Sequence, residues 1–252
     1  MWILPWLAGA TLCCTVATAQ TLEAQATEFL RQGRLAEADV VAKQLVEEAT
    51  TQNGPEHPTT ARCLNDLGFM YYSHAKYPEA ETYYSQALAI QEKAIEPDHP
   101  DLIRSLNNIS MLYLKQEKYA AAEPFVKRVL EIQEKKHGPE HVTTAVCLSN
   151  LAALYDKQGR LDEAEVLCRR ALAIFDKTYG PDHKATALSL SNLAILSQKQ
   201  GKFDEAEPLF KRAIVILEKL LGPNDPNTKN VRDAFAAMQF KRDWGKVTPS
   251  PQ

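Results

Sequence analysis

The segment that starts at Gly138 shows the hydrophobic pattern of two consecutive helices. Apolar residues recur at the spacing of one helix face, first over Val142 to about Gln158 and then over Leu161 to Tyr179. Gly159 stands where a helix C-terminus favours glycine, and Gly180-Pro181 ends the second run because proline cannot continue a helix. The apolar positions are Ala145, Leu148, Leu151, Ala152 and Tyr155 in the first run, and Leu161, Ala164, Leu167, Cys168, Ala171, Leu172 and Ile174 in the second. This pattern predicts a helix–turn–helix.

The two-helix pattern recurs at a fixed step of 42 residues. The repeated starts are Gly54-Pro55-Glu56-His57, Glu96-Pro97-Asp98-His99, Gly138-Pro139-Glu140-His141, Gly180-Pro181-Asp182-His183 and Gly222-Pro223-Asn224-Asp225. A period of this size predicts a solenoid, in which each unit buries its apolar face against its neighbours. The predicted units are a degenerate first repeat at 20–53, full repeats at 54–95, 96–137, 138–179 and 180–221, a capping helix at 222–244 and a flexible tail at 245–252.

Residues one step apart form columns of similar size. Small residues recur in the first helices at Gly68, Ser110, Ala152 and Ala194, and in the second helices at Ala80, Ala122, Ala164 and Ala206. A column of large side chains, Tyr77, Tyr119, Leu161 and Phe203, opens the second helices. Small side chains at such sites let two helices approach closely, while the large columns fill the space between units.

These columns, with the closing proline, resemble the tetratricopeptide repeat. The period and the segments Leu190-Ser191-Asn192-Leu193-Ala194 and Gln200-Gly201-Lys202-Phe203-Asp204-Glu205-Ala206-Glu207-Pro208 are similar to the kinesin light chain subclass. The resemblance covers Gly54 to Leu221 and extends, through Gly33-Arg34-Leu35-Ala36-Glu37-Ala38, into the first unit. It implies an all-α, right-handed superhelical solenoid in which the first helix of each unit lines a concave groove. The resemblance lies in the repeat alone and does not imply binding to a motor protein.

The N-terminal stretch Met1–Ala19 carries no charged side chain and ends in the small-x-small pattern Ala17-Thr18-Ala19. This composition predicts a secretory signal peptide cleaved after Ala19, and therefore a secreted or periplasmic protein. The alternative is an uncleaved segment, which would leave the protein membrane-anchored or cytoplasmic. Pro5, Gly9 and the small-residue end make a poor spanning helix, so no stable membrane span is expected after cleavage.

Composition and charge narrow the functional classes. The chain has 252 residues and a formal net charge of −3, so no general attraction to nucleic acid is implied. Cleavage would leave Cys63, Cys147 and Cys168, which have no CxxC spacing and fit buried thiols better than redox or metal chemistry. The sequence contains no nucleotide-binding glycine-rich loop, HExxH motif or nucleophile elbow. We therefore predict a non-catalytic protein without a cofactor.

A histidine column, His57, His99, His141 and His183, stands in the turns between repeats. The residues are spaced one per repeat, and Pro58 and Pro100 follow two of them at the position where proline opens a helix. The fifth copy is Asp225 before Pro226, and aspartate is a strong N-cap residue. The column therefore predicts helix caps, with a metal site as the alternative.

An asparagine column is the main functional indication. Asn108, Asn150 and Asn192 share one column of the first helices, and Asp66 takes the place of asparagine in the earlier repeat. The resemblance places this column in the groove, where carboxamides can hydrogen-bond the main chain of a bound peptide. The alternative is that they bond to the neighbouring repeat and fix the stacking.

The other predicted groove residues carry mixed chemistry. Phe69, Met111, Ala153 and Ile195 form an apolar strip, while five basic residues against Asp66 and Asp156 give a net charge of +3. This composition favours a protein or peptide ligand with acidic and apolar side chains, although a solvated mixed-charge face is the alternative. The full predicted set is Arg62, Asn65, Phe69, Arg104, Asn107, Asn108, Met111, Lys115, Asn150, Lys157, Asn192, Ile195 and Lys199.

The sequence thus predicts a scaffold or adaptor that binds a partner segment in its groove. Two other classes stay open: a structural protein that associates with itself, and an enzyme whose residues gather from several groove helices. The sequence reveals neither the partner nor the oligomeric state.

Overall fold

The computed structural model describes residues 17–247, which form two compact units divided after Lys118. Unit 1 contains α1 (Ala17–Arg31), α2 (Leu35–Asn53), α3 (Pro58–Ser73), α4 (Tyr77–Ala94) and α5 (Pro100–Lys115). Unit 2 contains α6 (Tyr119–His137), α7 (Val142–Lys157), α8 (Leu161–Tyr179), α9 (Lys184–Lys199), α10 (Phe203–Leu221) and α11 (Pro226–Val247). Since the described residues contain helices and no strand, the prediction of an all-α repeat protein is confirmed.

Within each unit, every helix packs against the next one in the chain. In unit 1, α3 also contacts α5, and in unit 2, α9 also contacts α11. In these two pairs, the first helix of one repeat touches the first helix of the next. This arrangement brings residues that are about one repeat apart in sequence within reach of each other.

The turn at Gly159 shows why the two helices of a repeat separate there. α7 ends at Lys157, and Gly159 has φ +77°, the left-handed conformation that glycine adopts without a steric penalty. The Arg160 amide then donates to the Tyr155 carbonyl at 2.9 Å, which satisfies a free carbonyl of the last helical turn. Ala75 and Glu117 occupy the equivalent turns in unit 1 with φ +58°, although neither is glycine.

The small-residue columns lie in the core, as the sequence predicts. Ala80, Ala122, Ala164 and Ala206 are all fully buried. Gly68 shows how close the packing is, because a Cβ atom added there would lie 2.7 Å from Cδ1 of the buried Tyr84 ring. The first and second helices of that repeat can therefore approach this closely only with glycine at position 68.

α11 is the last helix among the described residues, and one of its faces is more polar than that of the preceding first helix. Lys229 and Arg232 are exposed at the positions where α9 places the buried Ala187 and Leu190. A polar face thus replaces the apolar one against which a second helix packs in the preceding repeat. α11 continues to Val247, three residues beyond the predicted end of the cap at 244, while 248–252 of the predicted tail lie outside the described residues.

Most of the predicted signal segment lies outside the described residues. α1 begins at Ala17, so the predicted cleavage point after Ala19 falls within a helix. Across residues 17–247, no helix combines the length and the apolar character needed to cross a bilayer.

Candidate protein-binding site

In each full repeat, the first helix carries a partly exposed stripe with the spacing i, i+4, i+7, i+11, which follows one face of a helix. We call it the first-helix stripe. In unit 1 it comprises Arg62, Asp66 and Phe69 on α3, and Arg104, Asn108, Met111 and Lys115 on α5. In unit 2 it comprises Val146, Asn150, Ala153 and Lys157 on α7, and Leu188, Asn192, Ile195 and Lys199 on α9. Nearly all the predicted groove residues belong to it.

The asparagines behave differently in the two units. Asn108 donates from Nδ2 to Oδ1 of Asn65 at 3.1 Å, so in unit 1 it bonds to the neighbouring repeat. Asn65 is fully buried and offers no surface to a ligand, whereas the adjacent Asn107 is exposed. In unit 2, Asn150 is exposed and Asn192 is half-buried, and neither carboxamide hydrogen-bonds to another described residue. Unit 2 therefore presents amides that are available to an external partner.

Three of the five basic side chains of the stripe are paired with acids within the protein. Arg104 Nη1 lies 2.8 Å from Asp66 Oδ1, and Lys199 Nζ lies 2.6 Å from Asp156 Oδ1. Arg62 Nε lies 3.8 Å from Oδ2 of Asp101, a carboxylate that the sequence-based charge count omitted. Counting Asp101 reduces the surplus from +3 to +2, since five basic residues then face three acids.

Two exposed cations remain on the stripe. Lys115 and Lys157 form no ion pair with any residue of the described chain. Each stands in the last turn of its helix, where a positive charge is also favoured by the helix dipole. They are the groups on the stripe best placed to attract an acidic ligand.

The apolar part of the stripe is strongest in unit 1. Phe69 is 49% exposed and stacks on Tyr72 with ring centroids 6.3 Å apart, and Tyr72 in turn lies 6.0 Å from Tyr77. In unit 2, Ala153 is exposed and Ile195 is half-buried. Exposed aromatic rings held by neighbouring rings are suited to anchoring a side chain of a partner.

A column of acids on the second helices was missed by the sequence reasoning. Its members are Asp39, Glu81, Glu123, Glu165 and Glu207, spaced 42 residues apart. Three of them accept hydrogen bonds from tyrosines of the following first helix: Tyr71 donates to Asp39, Tyr113 to Glu81 at 2.9 Å, and Tyr155 to Glu123 at 3.3 Å. Comparing polar as well as apolar columns at the repeat step would have found these ties between repeats.

Glu123 is the best connected of these acids. Lys127 Nζ lies 2.6 Å away, Gln158 Nε2 donates at 3.1 Å, and Arg160 Nη1 donates at 2.8 Å. The hydrogen bond from Lys127, together with those from Gln158 and Arg160, outweighs partial burial and lowers the pKa of Glu123 to about 2. The Arg160 guanidinium also lies 3.8 Å from the centroid of the Tyr155 ring, as a cation–π contact.

The pattern changes at the next repeat. Ser197 takes the place of the tyrosine, and its buried hydroxyl has no hydrogen-bond partner. Glu165 is held instead by Lys202 at 2.9 Å and by Arg169 at 2.6 Å. The Lys202 hydrogen bond leads the interactions that lower the pKa of Glu165 to about 2.

The histidine column caps the first helices, as predicted. His57, His99, His141 and His183 stand at the N-caps of α3, α5, α7 and α9, and each ring accepts a backbone N–H two residues later through Nδ1. Within residues 17–247, no group of three or more His, Cys, Asp or Glu side chains has an arrangement that could hold a metal ion.

The charged outer faces of the second helices are internally paired. In unit 2, Arg170 Nη2 lies 2.7 Å from Glu134, and Arg169 contacts both Glu165 and Glu205. These pairs are largely exposed and contribute little stability individually. These ion pairs nevertheless neutralise basic side chains that would otherwise form a positively charged patch for an anionic partner.

Together, the helix pairs, their spacing and the ties between consecutive repeats define an all-α helical repeat protein. The tetratricopeptide repeat family model matches residues 16–93, 75–135, 101–167, 157–214 and 186–244. Since these matches cover most of the sequence, the chain belongs to the tetratricopeptide repeat family, whose members typically serve as protein-binding scaffolds.

Solved structures place it near the kinesin light chain type of repeat. A putative kinesin light chain with nearly identical TPR-like repeats from Podosopora anserina shares 25% identity and a TM-score of 0.71, covering 81% of this chain and 97% of that chain. BtubC (BKLC) from P. vanneervenii shares 22% identity and a TM-score of 0.70, covering 82% of each chain. MamA from Desulfovibrio magneticus shares 16% identity and a TM-score of 0.58, covering 82% of this chain and 99% of that one. The last two comparisons show the fold alone. No curated protein matches the sequence.

Proposed function

We propose that this protein is a non-catalytic adaptor that binds an extended protein segment on its first-helix stripe. The observation that carries the proposal is the pair of carboxamides at Asn150 and Asn192, which occupy one column of α7 and α9 and have no hydrogen-bond partner among residues 17–247. A carboxamide both donates and accepts, so it can bond the main chain of a peptide whatever its side chains. Such a pair, one repeat apart, favours an extended ligand that crosses both helices.

The proposed ligand carries acidic and apolar side chains. Lys115 and Lys157 are exposed and lack ion pairs in the described chain, and Phe69 presents an exposed ring. In either unit, an exposed lysine attracts acidic segments electrostatically, and burial of apolar side chains adds affinity. The internal pairing of Arg62, Arg104 and Lys199 concentrates the proposed charge contribution on the two lysines.

The test begins with capture from a native extract by the tagged full chain, followed by mass spectrometry and mapping of the bound segment. Affinity for that segment is then compared between wild type and Asn150→Ala/Asn192→Ala. Losing two hydrogen-bonding groups should weaken binding about tenfold or more, at roughly 1 kcal/mol each. Gln86→Ala, which removes an exposed carboxamide from the second helix α4, serves as the matched control and should leave affinity unchanged. Equal affinity of wild type and the double variant, with unchanged helicity, would reject the asparagine site.

The charge of the ligand is tested separately. Lys115→Ala/Lys157→Ala should slow association and flatten its dependence on salt concentration, while leaving the dissociation rate nearly unchanged. The control is Lys93→Ala, which removes an exposed lysine of the second helix α4. Because Lys93 lies 3.0 Å from Glu56 and is not part of the stripe, its loss should not alter the salt dependence. Association rates that are independent of both salt and the two stripe lysines would rule out an acidic ligand.

We also propose that the protein is exported, on the basis of the uncharged Met1–Ala19 segment and its small-residue end. N-terminal sequencing of the protein isolated from its native source should begin at Gln20. An intact Met1 on the mature protein would refute cleavage and leave the membrane-anchored or cytoplasmic alternatives.

A further inference from the structure

The four histidine caps share one hydrogen-bond geometry that depends on the protonation state of the ring. Nδ1 accepts the backbone N–H of the second helical residue at 3.1 Å from Thr59, 3.1 Å from Asp101, 3.2 Å from Thr143 and 3.1 Å from Ala185. An imidazole nitrogen accepts only when it carries no proton, so the neutral ring must hold its hydrogen on Nε2. Every one of these caps is therefore made by neutral histidine.

At the fifth repeat start, the N-cap of α11 is an aspartate instead of a histidine. Asp225 caps α11, and its Oδ1 accepts the Asn227 amide at 2.8 Å. The hydrogen bonds from Asn227 lower the pKa of the Asp225 carboxyl, so this cap persists under mildly acidic conditions. The chain thus contains four caps that a proton can remove and one, in the same column, that resists it.

We propose that the four histidine-capped starts form a pH-sensitive device that loosens the beginnings of α3, α5, α7 and α9 when the surroundings acidify. Imidazole takes up a proton between about pH 8 and 5. A proton on Nδ1 would face the backbone N–H that it now accepts, and the ring would place a positive charge at a helix N-terminus, where the helix dipole opposes it. Each protonation therefore removes one N-cap hydrogen bond, and the first turn of that helix loses the group that satisfied its backbone N–H.

The charged groups near each histidine ring determine how strongly each helix start should respond to acid. Asp101 Oδ2 lies 3.8 Å from Nδ1 of His99 and can offset part of the charge of a protonated ring, although the same carboxylate also meets Arg62 at 3.8 Å and Arg104 at 3.7 Å. The His137 ring stacks on His141 at 4.8 Å, and a second positive charge at this position would add repulsion. We therefore expect the start of α7 to respond to acid most strongly and that of α5 least.

The remaining neighbours are mostly neutral or already paired. Tyr179 stacks on His183 at 4.3 Å, and the Thr143 hydroxyl lies 2.9 Å from Nδ1 of His141. The acids immediately before three of the rings pair with lysines near the ends of the second helices: Glu56 with Lys93 at 3.0 Å, Glu140 with Lys177 at 2.5 Å, and Asp182 with Lys219 at 3.5 Å. Asp98 precedes His99 and Lys184 follows His183, so both are counted among the charges near these rings.

Amide hydrogen exchange resolved by NMR tests the proposal at each helix start of the full chain. Between pH 7.5 and 5.5, the amides of Thr59, Thr143 and Ala185 should lose protection about tenfold, after correction for intrinsic exchange rates, while the Asn227 amide keeps its protection. At pH 7.5, ring nitrogen shifts should show an unprotonated Nδ1 in all four histidines. Uniform protection at all five starts across this range, or protonated Nδ1 at neutral pH, would overturn the proposal.

Thermal unfolding provides the second measurement. The melting temperature of wild type should fall by roughly 5–10 °C over the same pH interval, from the loss of several caps. The variant His57→Asp/His99→Asp/His141→Asp/His183→Asp copies the Asp225 cap and should show little change. His74→Gln, which removes a histidine that stands at the C-cap of α3 and at no helix N-cap, should retain most of the fall. If the melting temperature of the fourfold variant falls as much as that of the wild type, the proposal is refuted. If the fourfold variant does not fold, His141→Asp alone provides the test: the Thr143 amide should then keep its protection at pH 5.5.

Discussion

Replacing Glu123 by glutamine should lower the stability of unit 2, because this acid contacts several groups of the following repeat. The carboxylate meets Lys127 Nζ at 2.6 Å and Arg160 Nη1 at 2.8 Å, and it is only 18% exposed. Lowering its pKa from 4.5 to about 2 corresponds to at most about 3 kcal/mol of folding free energy. Because solvent screens part of this interaction, we expect Glu123→Gln to lower the free energy of unfolding by about 1.5–3 kcal/mol at pH 7.

The matched control is Glu81→Gln, one repeat earlier in the same column. Glu81 is 36% exposed, accepts from Tyr113 at 2.9 Å, and meets Lys118 only at 3.9 Å. Its replacement should cost less than about 1 kcal/mol. Urea unfolding followed by circular dichroism compares the two variants, and equal costs at pH 7 would show that the dense contacts of Glu123 carry no extra stability.

Acid provides an independent check on the same reasoning. A carboxyl whose pKa is lowered on folding contributes its full stabilisation above the unfolded value near 4.5 and loses it as pH falls toward about 2. The difference between wild type and Glu123→Gln should therefore shrink between pH 4.5 and pH 2. A difference that stays constant over this window would refute the charge-based explanation. This window lies below the one proposed for the histidine caps, so the two effects can be separated in one titration.

Three further predictions follow from backbone geometry and burial. Glu117→Gly should raise the free energy of unfolding by about 0.5–1 kcal/mol, because glycine adopts the observed φ of +58° without strain; an unchanged urea midpoint would contradict this. Gly68→Ala should lower it by about 1–3 kcal/mol, because the new Cβ would lie 2.7 Å from the Tyr84 ring, and a calorimetric scan showing wild-type stability would mean that the ring can move aside. Cys147 and Cys168 should resist a thiol reagent at pH 8 until the protein unfolds, because burial raises their pKa values to about 11 and about 12; rapid labelling of the native protein would show that they are accessible.

The sequence predicts the helical repeats well because glycine, proline and apolar spacing act locally. The second helix expected from Leu161 to Tyr179 has those bounds, and the first helix of that repeat ends one residue before the expected Gln158. The histidine caps were also predictable, since Asp225 stands in their column and aspartate is a known capping residue. Each of these inferences depends on residues within a few positions of one another.

The site was harder to predict because its contacts join residues about one repeat apart. Nothing local distinguishes Asn108, which bonds to the buried Asn65, from Asn150, which has no partner in the described chain. The charge of the stripe depended in the same way on Asp101, a helix-capping neighbour whose reach to Arg62 and Arg104 becomes visible only in three dimensions. Column patterns locate such residues, but their pairing depends on packing and side-chain rotamers.

The recurring acid has a consequence for how an array of this kind can lengthen. Every second helix from α2 to α10 offers a carboxylate at the same position, and three first helices bring the tyrosine that meets it. A second copy of residues 138–179 inserted after Tyr179 would bring its own Tyr155 equivalent to Glu165, where Ser197 now leaves its hydroxyl without a partner. Gene duplication can thus add one repeat at a time, because each added repeat brings both a tyrosine for the preceding repeat and a carboxylate for the following one.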